Sequence, residues 1–161
     1  MQRRELFNFF SSTLKGEEAN EKPLRPPYYK DAALFLSECV KCDTKCATVC
    51  PEKIIIMEDN IPRLNFTKGG CTYCDECALA CEFGVLKLED KHEIKAHVTI
   101  NQKRCLSWMG VMCFSCKDPC LEDAIEFHAM FMPTILTDKC TACGFCVGRC
   151  PADAIDVKGF G

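Results

Sequence analysis

The chain has 161 residues, a net charge of −3 and sixteen cysteines, and its 48% of hydrophobic residues includes those cysteines. That length allows one compact unit or two very small domains. So few ordinary core residues exclude a large hydrophobic core as the main source of stability. The absence of any run of ~18–20 apolar residues excludes a spanning helix, and the acidic balance disfavours nucleic acid as a partner.

Residues 1–30 read as an N-terminal helix followed by an extended linker. Between Arg4 and Leu14, the side chains of Leu6, Phe7, Phe10 and Leu14 share one helical face, suited to packing on the body or to docking on a partner. Arg3-Arg4 has the form of a twin-arginine export start. However, the apolar stretch ends at Ser11-Ser12, and no small-residue cleavage site follows. The expected location is therefore cytoplasmic, where thiols stay reduced and serve metals rather than disulfides. Lys15 to Lys22 is a charged linker. Leu24-Arg25-Pro26-Pro27 is extended, because a residue before proline is pushed out of the α region.

The sixteen cysteines then fall into four groups of four with none left over. The first is Cys39, Cys42, Cys46 and Cys50; the second is Cys71, Cys74, Cys77 and Cys81. The third is Cys105, Cys113, Cys116 and Cys120; the fourth is Cys140, Cys143, Cys146 and Cys150. Four and five residues after the last cysteine of each group comes an apolar pair: Ile54-Ile55, Val85-Leu86, Ala124-Ile125 and Ala154-Ile155. Each pair opens a strand. The first three strands are expected to turn back as β-hairpins, through Asp59-Asn60 to Ile61–Phe66, through Glu89–Glu93 to Ile94–Ile100, and near Pro133 to Thr134–Leu136. The fold class is α+β, built of short helices and small hairpins around the cysteine groups.

The second and fourth groups have the spacing C-x2-C-x2-C-x3-C, and Pro151 follows the fourth. In that pattern three closely spaced thiolates hold one iron–sulfur cluster and the fourth ligates its neighbour. The first group carries one extra residue, among Asp43-Thr44-Lys45. The third has an enlarged loop, Leu106 to Met112. Both keep four thiols and are expected to hold [4Fe–4S], with a labile [3Fe–4S] form as the alternative. Structural zinc sites separate their cysteine pairs by ~12–20 residues, unlike these crowded groups. His92, His97 and His128 could ligate iron only where a cysteine is missing, and none is. Trp108 and Met109, in the enlarged loop, suit shielding of the third cluster or a docking knob.

Four oxidised clusters would each add about −2, bringing the loaded chain to roughly −11. Such a charge favours partners with basic docking surfaces. The last cysteines of groups two and three are furthest apart in sequence, and the charged stretch from Glu89 to Glu93 lies between them. This favours tandem ferredoxin-like halves, 31–90 and 91–161, each with two groups. The competing arrangement nests group one with four and two with three.

The whole pattern resembles the NapF family, ferredoxin-type accessory proteins of the periplasmic nitrate reductase system. The resemblance covers nearly the whole length. It rests on the Arg3-Arg4 start without an export signal, Arg25-Pro26-Pro27 and Phe35-Leu36 before Cys39. Its most specific element is the C-x7-C-x2-C-x3-C third group between two ferredoxin-like ones. The first group departs from the family's usual x2 before Cys46. The resemblance implies four clusters, a cytoplasmic location, and action on the catalytic molybdenum subunit before its export, in maturation or iron–sulfur loading. The alternative is an electron-transfer subunit of a larger oxidoreductase. Catalysis by the chain itself is not expected: no nucleophile–base pair, open metal site or nucleotide loop is evident, and Gly69-Gly70 is a turn.

Overall fold

The computed structural model describes residues 22–160, so the expected helix between Arg4 and Leu14 lies outside the described residues. The elements are short, and the cysteine loops between them make up much of the chain. Three helices, α1 (Ala33–Ser37), α2 (Lys45–Val49) and α3 (Glu76–Leu79), sit beside or within the first two cysteine groups. None of the described helices is long and apolar enough to cross a membrane. Six strands form three separate two-stranded antiparallel sheets: β1 (Ile55–Glu58) with β2 (Ile61–Leu64), β4 (Ile125–Phe127) with β5 (Pro133–Ile135), and β3 (Ala96–Ile100) with β6 (Ile155–Gly159).

The first hairpin follows from its turn. Asp59 and Asn60 take φ of 50° and 61°, the two left-handed positions of a tight turn whose twist matches its strands, and Asn tolerates that region well. Ile55 then faces Leu64 across the sheet. The second hairpin is not formed. After Leu86 the chain takes a 3-10 turn at Leu88–Asp90, and Ala96–Ile100 pairs instead with β6, Val98 facing Val157. The terminal strand thus lies on β3 and not beside residues 31–38. After the second cysteine group, main-chain bonds tie the chain to the segment before the first group, Lys87 N–H donating to Tyr28 C=O at 2.7 Å and His92 N–H to Pro27 C=O at 3.0 Å.

One turn recurs four times. The N–H of the third residue after each closing cysteine donates back to that cysteine's carbonyl, at 3.1 to 3.3 Å for Lys53, Gly84, Asp123 and Asp153. All four of these residues take positive φ, between 45° and 65°. The reversal sends the following apolar pair inward, and all eight members of the four pairs are buried. Burying a side chain of the size of Ile or Leu is worth about 1.5–3 kcal/mol, so this recurring pair supplies much of the ordinary core that the composition allows.

The segment from Pro23 to Tyr29 passes through this core and bends at Pro27, where Tyr28 N–H donates to Pro26 C=O at 3.0 Å. Pro26, Pro27, Tyr28 and Tyr29 are all buried. Tyr28 donates its hydroxyl to Asp75 Oδ1 at 2.9 Å, and Lys91 Nζ reaches the same oxygen at 2.7 Å. Burial and this bond push the Tyr28 phenol well above its usual range, while the lysine and the phenol hold the Asp75 carboxyl below its own. Phe35 is fully buried and meets Tyr29 edge-on at 5.1 Å.

Candidate iron–sulfur sites

The cysteine loops leave four hollows, and each is lined by four thiols. Cys39, Cys42 and Cys46 share the first with Cys81, from group two. Cys71, Cys74 and Cys77 share the second with Cys50, from group one. The exchange repeats further along. Cys105, Cys113 and Cys116 meet Cys150, while Cys140, Cys143 and Cys146 meet Cys120. All sixteen sequence-designated cysteines are therefore gathered, three from one group and one from its companion. Groups one and two exchange their closing cysteines, as do groups three and four.

Local backbone explains the aim of these side chains. In groups two and four the second residue after the first cysteine is left-handed, Tyr73 at 53° and Ala142 at 55°. So is the residue after the second cysteine, Asp75 at 69° and Gly144 at 84°. This alternation curls the loop so that successive thiols face one concavity. In group one the extra residue is absorbed at Thr44, with φ 58°, before α2. The closing cysteine is held from behind: Leu86 N–H points at Cys81 Sγ at 3.3 Å, Ala124 at Cys120 Sγ at 3.3 Å and Ala154 at Cys150 Sγ at 3.2 Å. Such donors stabilise a thiolate and tune the potential of a cluster bound to it.

The hollows fit a cluster. Sites one to four span about 320, 370, 350 and 380 Å³, counted with the space open to solvent at their mouths, so regular and irregular groups form hollows of similar extent. Among the described residues, no three His, Cys, Asp or Glu side chains gather tightly enough for one metal ion. Thiols spaced round a hollow, rather than converging on a point as in a tetrahedral zinc site, suit a multi-iron cluster. Two buried hydroxyls, Ser107 Oγ and Thr141 Oγ1, have no partner. Both lie between the first and second cysteines of their groups, and Thr141 lines site four. An orphaned buried donor beside a hollow fits an acceptor, such as sulfide, within it.

Six of the thiols are far from ready-made anions. Burial, reinforced by neighbouring thiolates, pushes Cys39, Cys46, Cys71 and Cys116 up to about 11, and Cys77 and Cys146 up to about 12. Four thiolates become affordable there only beside compensating iron charge. The histidines stand apart from the hollows. His92 contacts the carbonyls of Tyr29 and Glu93, His97 stacks on Phe160 at 4.3 Å, and His128 meets Thr134 Oγ1 at 3.2 Å. Trp108 donates to Pro133 C=O at 3.1 Å, pinning the enlarged loop, while Met109 points to solvent.

One feature carried no sequence signal. Sites two and four touch: Cys71 N–H donates to Cys143 C=O at 2.7 Å. In the enlarged loop of group three, Met109 and Met112 are more than half exposed, as is Met130 after β4.

Thiol-lined hollows that exchange their closing cysteines define a protein of the ferredoxin type, a carrier of [4Fe–4S] clusters. Residues 133–156 match the 4Fe-4S binding domain. The ferredoxin-type protein NapF of Escherichia coli is 31% identical over 140 residues, covering 84% of each chain. NapF of Haemophilus influenzae is 31% identical over 169 residues, 97% of this chain and 93% of that one. The methylamine utilization ferredoxin-type protein MauM of Methylorubrum extorquens is 29% identical over 157 residues, 84% of this chain and 71% of its own. This chain belongs to the NapF family of ferredoxin-type proteins.

Proposed function

We propose that this chain holds four [4Fe–4S] clusters in two tandem ferredoxin-like halves, residues 31–90 and 91–161. We further propose that it serves as a cytoplasmic, non-enzymatic maturation factor for the catalytic molybdenum subunit of the periplasmic nitrate reductase. The observation that carries the cluster count is the set of four hollows of similar size, each lined by four thiols. The role and the partner rest on family membership. Apolar surface at both ends supports a partner-binding role: Leu36, Leu79 and Phe83 near site one, and the exposed methionines near site three. A [4Fe–4S] cluster, when bound, supplies one-electron redox chemistry, and the protein's part is to hold, shield and tune it.

The test is capture from cytoplasm with a catalytic subunit whose export is blocked. The loaded chain should co-purify with the apo-subunit and lose that association once the subunit is fully assembled. Equal capture by assembled and apo-subunit would contradict a maturation role and favour the second reading, electron transfer within a larger oxidoreductase. The contact between sites two and four supports that second reading, since it makes the cysteine sites continuous.

A further inference from the structure

Each half brings two sites together by exchanging closing cysteines, so sites one and two are neighbours, as are three and four. Several contacts join the halves, among them Lys91 to Asp75, and one set of them lies between the loops of sites two and four. Cys71 N–H donates to Cys143 C=O at 2.7 Å, joining a thiol-bearing residue of site two to one of site four. Tyr73, from the site-two loop, donates its hydroxyl to Thr141 C=O in the site-four loop at 2.6 Å, and the same hydroxyl receives Ile94 N–H at 3.2 Å. The approach is close enough to require glycine. A Cβ on Gly70, which lines site two, would lie 2.5 Å from the main-chain nitrogen of Phe145, which lines site four. A Cβ on Gly148 would lie 2.8 Å from Thr67 C=O.

We propose that this junction, clamped by Tyr73, joins the four sites into a single line in the order one, two, four, three, along which an electron passes from one half to the other. At the junction the iron of one site loses the one electron that the other gains; a low-potential one-electron donor at one end supplies it, dithionite in the test. The consequence is structural as well as electronic. The two irregular groups lie at the ends of the line, beside exposed apolar surface, and the two regular groups lie inside it. Tyr73 acts as a positioning residue, holding two cysteine loops together without ligating either cluster. This inference rests on the reading that all four hollows hold [4Fe–4S].

The test is electron paramagnetic resonance of the dithionite-reduced protein, with iron and sulfide counted on the same samples. The double variant Cys42→Ala, Cys113→Ala removes one ligand from each end site. If sites two and four keep their iron, their spins should broaden each other and produce a half-field signal. Two sharp, non-interacting signals would overturn the proposal. The intact protein gives a second measurement if that variant loses all its iron. Its spectra at two microwave frequencies should require coupling across four spins. Spectra that reduce to two independent pairs would overturn the proposal. Gly148→Val, which adds bulk where the run between Cys146 and Cys150 meets the main chain of Thr67, should convert the four-spin pattern to two pairs in samples whose counted iron is complete. An unchanged pattern with full iron would also count against the junction. Fewer than sixteen iron in the intact protein would instead defeat the underlying four-cluster reading, so the two failures are distinguishable.

Discussion

Sites two and four, at the centre, and sites one and three, at the ends, use the same chemistry under different constraints. The central loops have the strict C-x2-C-x2-C-x3-C spacing, share the same pattern of left-handed residues and press on each other with no room for a Cβ at Gly70. The end loops carry the insertions: one residue before Cys46 and five beyond the usual two before Cys113. The difference teaches that the irregular spacing reflects location. A loop facing solvent can lengthen at small entropic cost, whereas a loop packed against another cannot. The hollows remain similar in size because insertion changes the route of the chain and not the placement of four thiols.

Chelating the iron under reducing, anaerobic conditions has the largest expected effect, since it removes centre and ends together. Cluster binding is folding free energy in a chain with so little ordinary core, so circular dichroism should show loss of the fold. A metal-free sample with native dichroism would mean that the buried apolar pairs suffice alone.

Single ligand changes should then separate the regions. Cys42→Ala, at an end, is expected to cost about four of the iron atoms, one cluster's worth. Cys77→Ala, at the centre, should cost more, because site two is tied both to site one through Cys50 and Cys81 and to site four through Cys71 and Cys143. Equal losses by iron analysis would erase the distinction. The exchange of closing cysteines adds a sharper case: Cys150→Ala should damage site three while leaving Cys140, Cys143 and Cys146 loaded.

Acidification should weaken reconstitution in both regions alike. The apo-thiols that are pushed up to about 11 or 12 are protonated near neutrality and must release protons to bind iron. Such thiols occur at the ends, Cys39, Cys46 and Cys116, as well as at the centre, Cys71, Cys77 and Cys146. Absorbance-monitored reconstitution between pH 6 and 8, a range about one unit either side of neutrality, should show the yield falling towards the acidic end. A pH-independent yield would contradict the proton exchange. Smallest is Tyr73→Phe, which removes two partly buried hydrogen bonds and leaves Thr141 C=O and Ile94 N–H to find other partners. Denaturation of the loaded protein should show a loss of about 1–3 kcal/mol with iron unchanged.

Much of this was legible in the sequence, for identifiable reasons. Cysteine grouping is local, so the sixteen thiols that line the four hollows could be grouped from spacing, and the left-handed turn after each closing cysteine left its mark as a buried apolar pair. The hairpin at Asp59-Asn60 was readable because its turn residues demand it. The pairing of Ala96–Ile100 with Ile155–Gly159 was not readable: the partners are about sixty positions apart, no turn connects them, and the adjacent charged stretch resembled a hairpin loop. The prolines implied an extended run over Leu24 to Pro27, but nothing local could indicate that Pro26 to Tyr29 are buried. The contact between sites two and four was equally silent, because it depends on a tyrosine hydroxyl and on glycines whose need appears only when two distant loops meet.

The central claim, that centre and ends alike hold [4Fe–4S], is tested most directly by counting iron and acid-labile sulfide in protein purified without oxygen. Four complete thiol sets predict about sixteen of each per chain. A count near eight would confine clusters to one region, and zinc without sulfide would contradict the account altogether.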